Sequence, residues 1–549
     1  MRKGSMKKSL ALLVALLLLA TAFVTACGND DGATDAGDGN GAVTDDADDA
    51  DEAGDDAAAG GHLTISMAKW NIGEKITDPE VDLILGYLYD RFNFTIDPVH
   101  VTWDDYIERI PVWAATGQLP DWFAIDAFGR PFLAEWINEE IIRPLPADLS
   151  RWPYVQDLVA QFEGMRHENG NFYGLPRISF VDPNLDLTNR GILIRRDWME
   201  YLGYDPDAPV ESLDAFIEMI QDLMENNPEQ RGDVAGITFI APWSAMNLSQ
   251  PWHNAFLSAG GSPWVRDGDR WNQAGVMPGA RDAVAGVGRM WEAGILDRDL
   301  AIMQEGQGIE RFSSGRAVAY VYNMTPSALR SQVADFFALT YPDREFADMV
   351  TGLRLWNADG GAPFYQLNPG FWSESYFNAE ISDEAMYRIL DMKNFLLSRE
   401  GQILFQYGIE GIDFEFVNGE PVSLRTTGLG TDYEILNDWG WFVCWQNDAD
   451  FTNTLAWGED VIGITQSYLN WWLENGRNNA EFQDPRNTFI IPPAQERVFW
   501  MIHEDFVSAI TSADPLATWD AAVETYLAGG GQEVIDEFNE IARERGITP

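Results

Sequence analysis

The chain has 549 residues and carries 87 Asp and Glu against 36 Lys and Arg, a net charge of −51. So negative a surface repels phosphate backbones, which excludes nucleic acid as an expected partner and disfavours polyanionic ligands unless a local Arg cluster overrides the field. The apolar fraction of 46% is that of an ordinary folded protein, and the length exceeds the ~250–300 residues that one hydrophobic core holds, so two lobes are expected.

The N-terminus carries the most specific local signal. Arg2, Lys3, Lys7 and Lys8 precede an apolar run of 15 residues, Leu10 to Val24. A membrane span needs about 20, so the run fits the h-region of a signal peptide. It ends in Val24-Thr25-Ala26-Cys27, which resembles the lipobox of bacterial lipoproteins. The resemblance implies cleavage before Cys27, acylation of its thiol, and anchoring in the bilayer at the extracytoplasmic face of the cell membrane. Acyl chains anchor at about 0.8 kcal/mol per buried CH₂. The other cysteine, Cys444, then stands alone, so neither an intramolecular disulfide nor a Cys-based metal site is expected. Residues 28–61 hold 12 acids, no base and no aromatic. Such a stretch buries too little apolar area to offset its chain entropy, and like charges extend it. It reads as a tether.

From His62 the patterns are those of a folded chain. Leu63-Thr64-Ile65-Ser66-Met67 alternates as a strand. A helix is expected over Pro79 to Phe92, with Asp78 as N-cap and Pro at the first position. Thr95 to Val99 reads as a strand, Asp104 to Thr116 as a helix and Trp122 to Ile125 as a third strand. This alternation implies a parallel sheet with helical crossovers. Further helical patterns cover Ser212 to Glu225, Ala280 to Ala293, Asp383 to Tyr407 and Trp519 to Arg545.

Several motifs, in order, resemble those of the bacterial family 1 extracellular solute-binding proteins, in their LipO-like lipoprotein branch. Ala115-Thr116-Gly117-Gln118-Leu119-Pro120-Asp121 is similar to the G-x-x-P-D turn before the third strand. Glu168-Asn169-Gly170-Asn171-Phe172-Tyr173-Gly174-Leu175-Pro176 is similar to G-K-x-Y-G-L-P, and Ile192 to Trp198 with Leu202-Gly203 to I-R-K-D-W-L-x-x-L-G. Phe312 to Ala319 is similar to F-x-x-G-K-A-A-M, and Tyr407 to Phe414 to Y-G-I-E-G-x-x-Y. Trp519-Asp520 and Leu527 to Gly531 resemble the closing helices of that branch.

The resemblance implies an α/β, two-lobed, periplasmic-binding-protein-like fold of type II with the ligand cleft between the lobes. On it, 1–27 is the leader, 28–61 the tether, 62–183 the first part of lobe 1, 184–370 lobe 2, 371–420 the return to lobe 1, and 421–549 a mostly helical part packing on lobe 2. It implies an oligosaccharide ligand delivered to the membrane subunits of an ABC permease by a monomeric binding protein without a cofactor. Related proteins often carry a calcium loop after the helix equivalent to Ser212–Glu225. Here Arg231 stands where an oxygen ligand belongs, and a hard cation needs 6–8 oxygens, so no metal is expected.

Sugar rings stack their C–H faces on aromatic rings and pair their hydroxyls with planar polar groups. Aromatic residues beside such groups follow the expected strands. The candidate ligand residues are Trp70 and Asn71, Asp126 and Phe128, Trp243, Gln250 and Trp252, Tyr322 and Asn323, and Trp372. Trp152, Trp291 and Trp519 are expected to be structural. The rival function is a secreted carbohydrate-active hydrolase, which needs two carboxylates flanking the scissile bond. With 87 acids a pair is uninformative, His503-Glu504 lacks the second His of H-E-x-x-H, and no G-x-S-x-G occurs. No catalytic residue is expected.

Overall fold

The alternation of Leu63–Ala68 becomes a strand whose Ile65 and Met67 are buried. A computed structural model of the protein describes residues 61–178, 180–249, 263–355, 363–365, 370–425, 428–436, 451–478 and 482–549. The leader, Cys27, the tether and Cys444 lie outside the described residues, as do Gln250 and Trp252. Residues 57–549 cluster as one unit.

Two sheets organise that unit. Their strands in chain order are β1 (Leu63–Ala68), β2 (Phe94–Val99), β3 (Trp122–Ile125), β4 (Ile142–Arg143), β5 (Leu175–Ile178), β6 (Gly191–Arg195), β7 (Ala235–Phe239), β8 (Ala317–Tyr322), β9 (Val350–Gly352) and β10 (Phe371–Asn378). The first sheet has six strands in the order β2-β1-β3-β10-β4, with β5 also on β10. The second has four, in the order β9-β6-β8-β7.

The first sheet departs from the all-parallel expectation. β1 runs parallel to β2 and β3, joined by helices Leu83–Phe92 and Tyr106–Thr116. β10 is antiparallel to β3, β4 and β5. The reason is the route of the chain. β5 leaves this sheet for β6 of the second, and β10 comes back after β9, so these crossing strands pair side by side, Phe371 opposite Ile178. Pro98 is tolerated in β2 because β2 is an edge strand.

Local chemistry sets the elements. The helix expected from Pro79 begins at Leu83, because Asp82 and not Asp78 accepts the capping bond, from Leu85 N at 3.0 Å. Asp78 instead organises the preceding turn, accepting from Glu80 N at 2.9 Å. The second carboxylate oxygen of Asp82 accepts from Ile435 N at 2.9 Å and ties residues 429–436 to this lobe. The Pro120-Asp121 turn has an equally local cause. Gly117 closes the helix at φ 65°, and Asp121 Oδ2 takes both Ser66 N (2.8 Å) and Ser66 Oγ (2.7 Å), pinning β3 to β1. The pattern over Asp383 to Tyr407 is two helices, Asp383–Leu397 and Arg399–Tyr407. Ser398 is extended between them and caps the second through Gly401 N.

The second sheet is buried on both faces, as the apolar run of β6 requires. At the end of β6, Arg195 is fully buried. Its guanidinium meets Asp197 at 2.8 and 2.7 Å and Glu229 at 2.9 Å, and stacks on Trp198 at 4.4 Å. Glu229 also receives Tyr341 at 2.8 Å and Arg231 at 2.7 Å. In the loop after helix Leu213–Glu225, guanidinium groups thus surround the acidic side chain; burial pushes its carboxyl up, and Tyr341, Arg195 and Arg231 together outweigh that and hold it below its ordinary value. Among the described residues no group of three His, Cys, Asp or Glu could hold a metal ion.

The C-terminal helices divide. Phe506, Val507, Ala509, Ile510 and Trp519 join the core of the second sheet. Helix Gln532–Glu544 packs with Ile490, Ala494 and the hairpin 264–273 in a smaller core, Trp264 stacking on Phe538 at 3.5 Å. Phe489 lies against Phe128 and Phe371 of the first lobe at 6.1 and 6.3 Å. The segment from 421 onward therefore packs on both lobes. Trp152 and Trp519 are buried in cores, and Trp291 is half-buried against one.

Candidate functional site

β1, β2 and β3 are parallel, so their C-terminal ends reach one edge of the sheet. β10 is antiparallel to them and starts at that same edge, with Glu374 opposite Ile125. Four chain segments converge there: 69–71, 100–106, 126–128 and 371–374. In open α/β sheets this edge is where ligands bind.

Four aromatic side chains meet on it. Trp70 lies 5.4 Å from Trp103, 5.0 Å from Tyr106 and 5.2 Å from Trp372 between ring centres. Trp103 lies 5.4 Å from Tyr106 and 5.5 Å from Trp372. Trp70 and Tyr106 are buried, while Trp103 and Trp372 are half-buried and form the open part of the cluster. Arg177 packs on the Trp372 ring at 4.5 Å and donates to Ser373 Oγ at 3.2 Å. Lys69 lies over Trp70 at 4.9 Å.

Trp372 owes its place to an irregularity. The pairing of β10 with β5 shifts register between Phe371 and Glu374, and Ser373 takes a left-handed φ of 60°. Such bulges re-aim a side chain out of the regular alternation, and a non-glycine residue at positive φ carries strain that the surroundings must hold.

Two carboxylates lie behind the rings. Asp126 Oδ2 accepts from Tyr106 Oη at 3.1 Å and from Trp372 Nε1 at 3.3 Å. Its Oδ1 is buried and meets no donor. Burial raises the Asp126 carboxyl against the opposing pull of Arg130, Tyr106, Arg177 and Trp372. Glu374, only 3% exposed, accepts from Ala127 N at 2.9 Å, Phe128 N at 3.2 Å and Tyr376 Oη at 3.2 Å. Burial, and then the nearby Asp126, push its carboxyl up to about 8.

Asn71 reaches across the gap between the lobes. It is itself left-handed at φ 59°, accepts from Trp103 N at 3.3 Å, and donates through Nδ2 to Glu305 Oε2 at 3.2 Å. Glu305 precedes helix Gln307–Ser313 of the second lobe. The edge carrying the aromatic cluster therefore faces the second lobe.

Of the residues expected at the site, Trp70, Asp126 and Trp372 come together, and Asn71 spans the lobes beside them. Phe128 turns the other way, onto Phe371 and Phe489 at 6.1 Å each. In the second lobe Asn323 is 6% exposed and caps its own turn, Oδ1 accepting from Thr325 N at 2.7 Å, so its amide oxygen is taken up by the backbone. Tyr322 is half-buried beside Tyr320 at 6.0 Å, and Trp243 packs against the core of that lobe. Trp103, Tyr106, Arg177 and Glu374 were missed from sequence. The signal for Trp103 was available, since it follows β2 as Trp70 follows β1.

This is the two-lobed fold of the periplasmic solute-binding proteins. No family model matches the sequence. The chain is similar to lipoprotein LipO of Bacillus subtilis (strain 168), 20% identical over 356 residues that make up 62% of this chain and 66% of LipO, so the match spans about two thirds of that relative. Among solved structures it is similar to alginate-binding protein AlgQ2 without calcium ion, at TM-score 0.64 and 15% identity over 87% of this chain and 98% of that one. It is also similar to the S. pneumoniae ABC-transporter substrate-binding protein FusA in complex with kestose, at TM-score 0.62 and 14% identity over 89% and 99%.

Proposed function

We propose that this chain is the lipid-anchored, extracytoplasmic substrate-binding protein of an ABC importer, and that it captures an oligosaccharide between its lobes and hands it to the permease. The observation that carries this reading is the half-open cluster of Trp70, Trp103, Tyr106 and Trp372 at the C-terminal sheet edge, with the acceptor Asp126 behind it. Stacking surface and planar polar groups in one place are what a sugar ring requires. Two lobes facing each other across such a site can close on a ligand that touches both. The described neighbours are binding proteins for alginate and for a kestose-type sugar, which supports the ligand class.

The anchor rests on Val24-Thr25-Ala26-Cys27 and on the lipoprotein relative. Among the described residues no helix is long and apolar enough to cross a membrane. Wild-type protein is expected to fractionate with membranes and take up a fatty-acid label, and Cys27→Ala to be released or left unprocessed. Equal membrane association of both forms, with no label on the wild type, sinks the anchor.

A hydrolase would need two carboxylates aimed at the same bond. Glu374 is buried and its carboxyl is occupied by two backbone amides and Tyr376, so it is not aimed at a bond outside the protein. The purified full-length protein is expected to bind oligosaccharides, seen as a rise in melting temperature, and to leave them intact. Ligand at 100-fold its Kd stabilises by about 2.7 kcal/mol. Steady release of reducing ends, abolished by replacing one Asp or Glu, overturns the binding-protein reading.

A further inference from the structure

With 87 acids to 36 bases in the chain, a patch taken at random holds more acids than bases. The edge with the aromatic cluster reverses this. Lys69 lies over Trp70 at 4.9 Å and Arg177 over Trp372 at 4.5 Å. Arg130, in the turn that leaves β3, lies close enough for its charge to act on Asp126 and Tyr106. Of the two acids behind the rings, Glu374 keeps its proton up to about 8. At neutral pH only Asp126 is left there to balance the three cations. Glu305, from the second lobe, is engaged by Asn71 at 3.2 Å.

Lys69 and Arg177 are buried. They act through the field they leave at the rings, which is stronger in a partly dry surrounding than in water. Arg130 differs, because it is half-buried and can meet a solute directly. Its guanidinium lies 5.3 Å over the ring of Phe499, which is 39% exposed. Gln495 donates to Gly129 O at 2.7 Å and holds that C-terminal segment against the turn. Elsewhere guanidinium groups are taken up by carboxylates, as at Arg195, Arg311 and Arg425. Among the described residues Arg130 is in no ion pair.

A guanidinium takes a carboxylate in two parallel charge-assisted hydrogen bonds, whereas a sugar hydroxyl offers it one weaker acceptor. Closure of the lobes removes water from the gap between them. A cation that loses water without gaining an anion is penalised, so the closed state favours a ligand that brings negative charge to Arg130. The net charge of −51 does not prevent this. Fields between exposed charges fade over about 8 Å at physiological ionic strength, and a contact with Arg130 is made well inside that length.

We infer that the ligand is an acidic oligosaccharide, held with a uronate carboxylate on Arg130 beside Phe499 and with a further ring stacked on Trp103 and Trp372. This rests on the oligosaccharide reading above and names the class of sugar within it.

The test is calorimetry on the full chain, wild type and Arg130→Gln, with trigalacturonate and trimannuronate, the methyl ester of each, kestose and mannopentaose. The esters keep ring, linkage and length and remove only the charge. The wild type is expected to bind at least one uronate at least 10-fold tighter than its own ester and than either uncharged sugar. Arg130→Gln is expected to weaken that uronate by at least about 10-fold, the scale of a hydrogen bond between charged groups, and to leave its ester within about 3-fold of wild type. An ester bound as tightly as its acid overturns the inference, as does unchanged uronate affinity in a folded Arg130→Gln. Should that variant fail to fold, the wild-type ratio of acid to ester decides alone. If kestose or mannopentaose binds and neither uronate does, the inference fails and the oligosaccharide reading stands. If no sugar binds, both fail.

Discussion

Trp372→Ala is expected to weaken oligosaccharide binding by about 30- to 1000-fold while the protein stays folded. Removing an aromatic hot spot costs roughly 2–4 kcal/mol of binding, which is that range in affinity. Trp372 is the half-buried ring that meets four parts of the site: Trp70 at 5.2 Å, Trp103 at 5.5 Å, Arg177 at 4.5 Å and Asp126 at 3.3 Å. It sits where β10 enters the sheet, on its wet edge. Trp70 is its control. At 6% exposure it belongs to the core of the first lobe, so Trp70→Ala is expected to cost ~3–5 kcal/mol of stability. Denaturant unfolding and calorimetric titration on both variants separate the two effects. If Trp372→Ala unfolds as easily as Trp70→Ala, or binds as tightly as wild type, the site is elsewhere.

The second large effect is on the pH dependence of stability. Glu374 keeps its proton in the folded protein up to about 8 because burial and Asp126 penalise its charge, whereas an ordinary Glu releases it near 4.5. Below about 4.5 both states are protonated and the contribution to stability is complete. Above it the unfolded chain binds fewer protons than the folded one, so stability falls as pH rises and stops falling once the folded group ionises near 8. The whole effect is at most roughly 5 kcal/mol. Glu374→Gln mimics the protonated acid and cannot ionise. It is expected to match wild type near pH 4 and to exceed it increasingly up to about pH 8. Asp126, raised by the same burial, leaves part of the slope in the variant. Unfolding free energies of both proteins from pH 4 to 9 measure the difference. A difference that does not change with pH means that Glu374 is ionised in the fold.

The way the site is built explains how it read from sequence. Trp70, Asp126 and Trp372 were visible because each is a stacking or polar residue at the end of a recognisable strand. Phe128 has the same local appearance, yet it packs inward on Phe371 and Phe489, because alternate residues of a turn face opposite ways and the pattern does not say which faces the wet side. Asn323 reads from sequence as a partner for a hydroxyl, and its amide oxygen caps its own turn, a competition that short amide side chains often enter. Glu374 gave no signal. Among 87 acids nothing local distinguishes the one that will be buried.

The sequence alone determined what depends on neighbours along the chain. The lipobox-like end of the leader, the acidic stretch without aromatic residues, the alternating and helical periods, and the start of the helix at Ser212 are short-range physics, and so are the turn at Pro120-Asp121 and the excess of negative charge. The tertiary structure alone decided which strand ends share an edge. Antiparallel entry of β10 from the second lobe brings Trp372 beside Trp70 and Trp103, some 270 to 300 positions earlier, and the bulge at Ser373 accompanies its departure from the strand's alternation. The reason is that register and strand order are set by burying whole faces of a sheet at once, a quantity that no single window of residues contains.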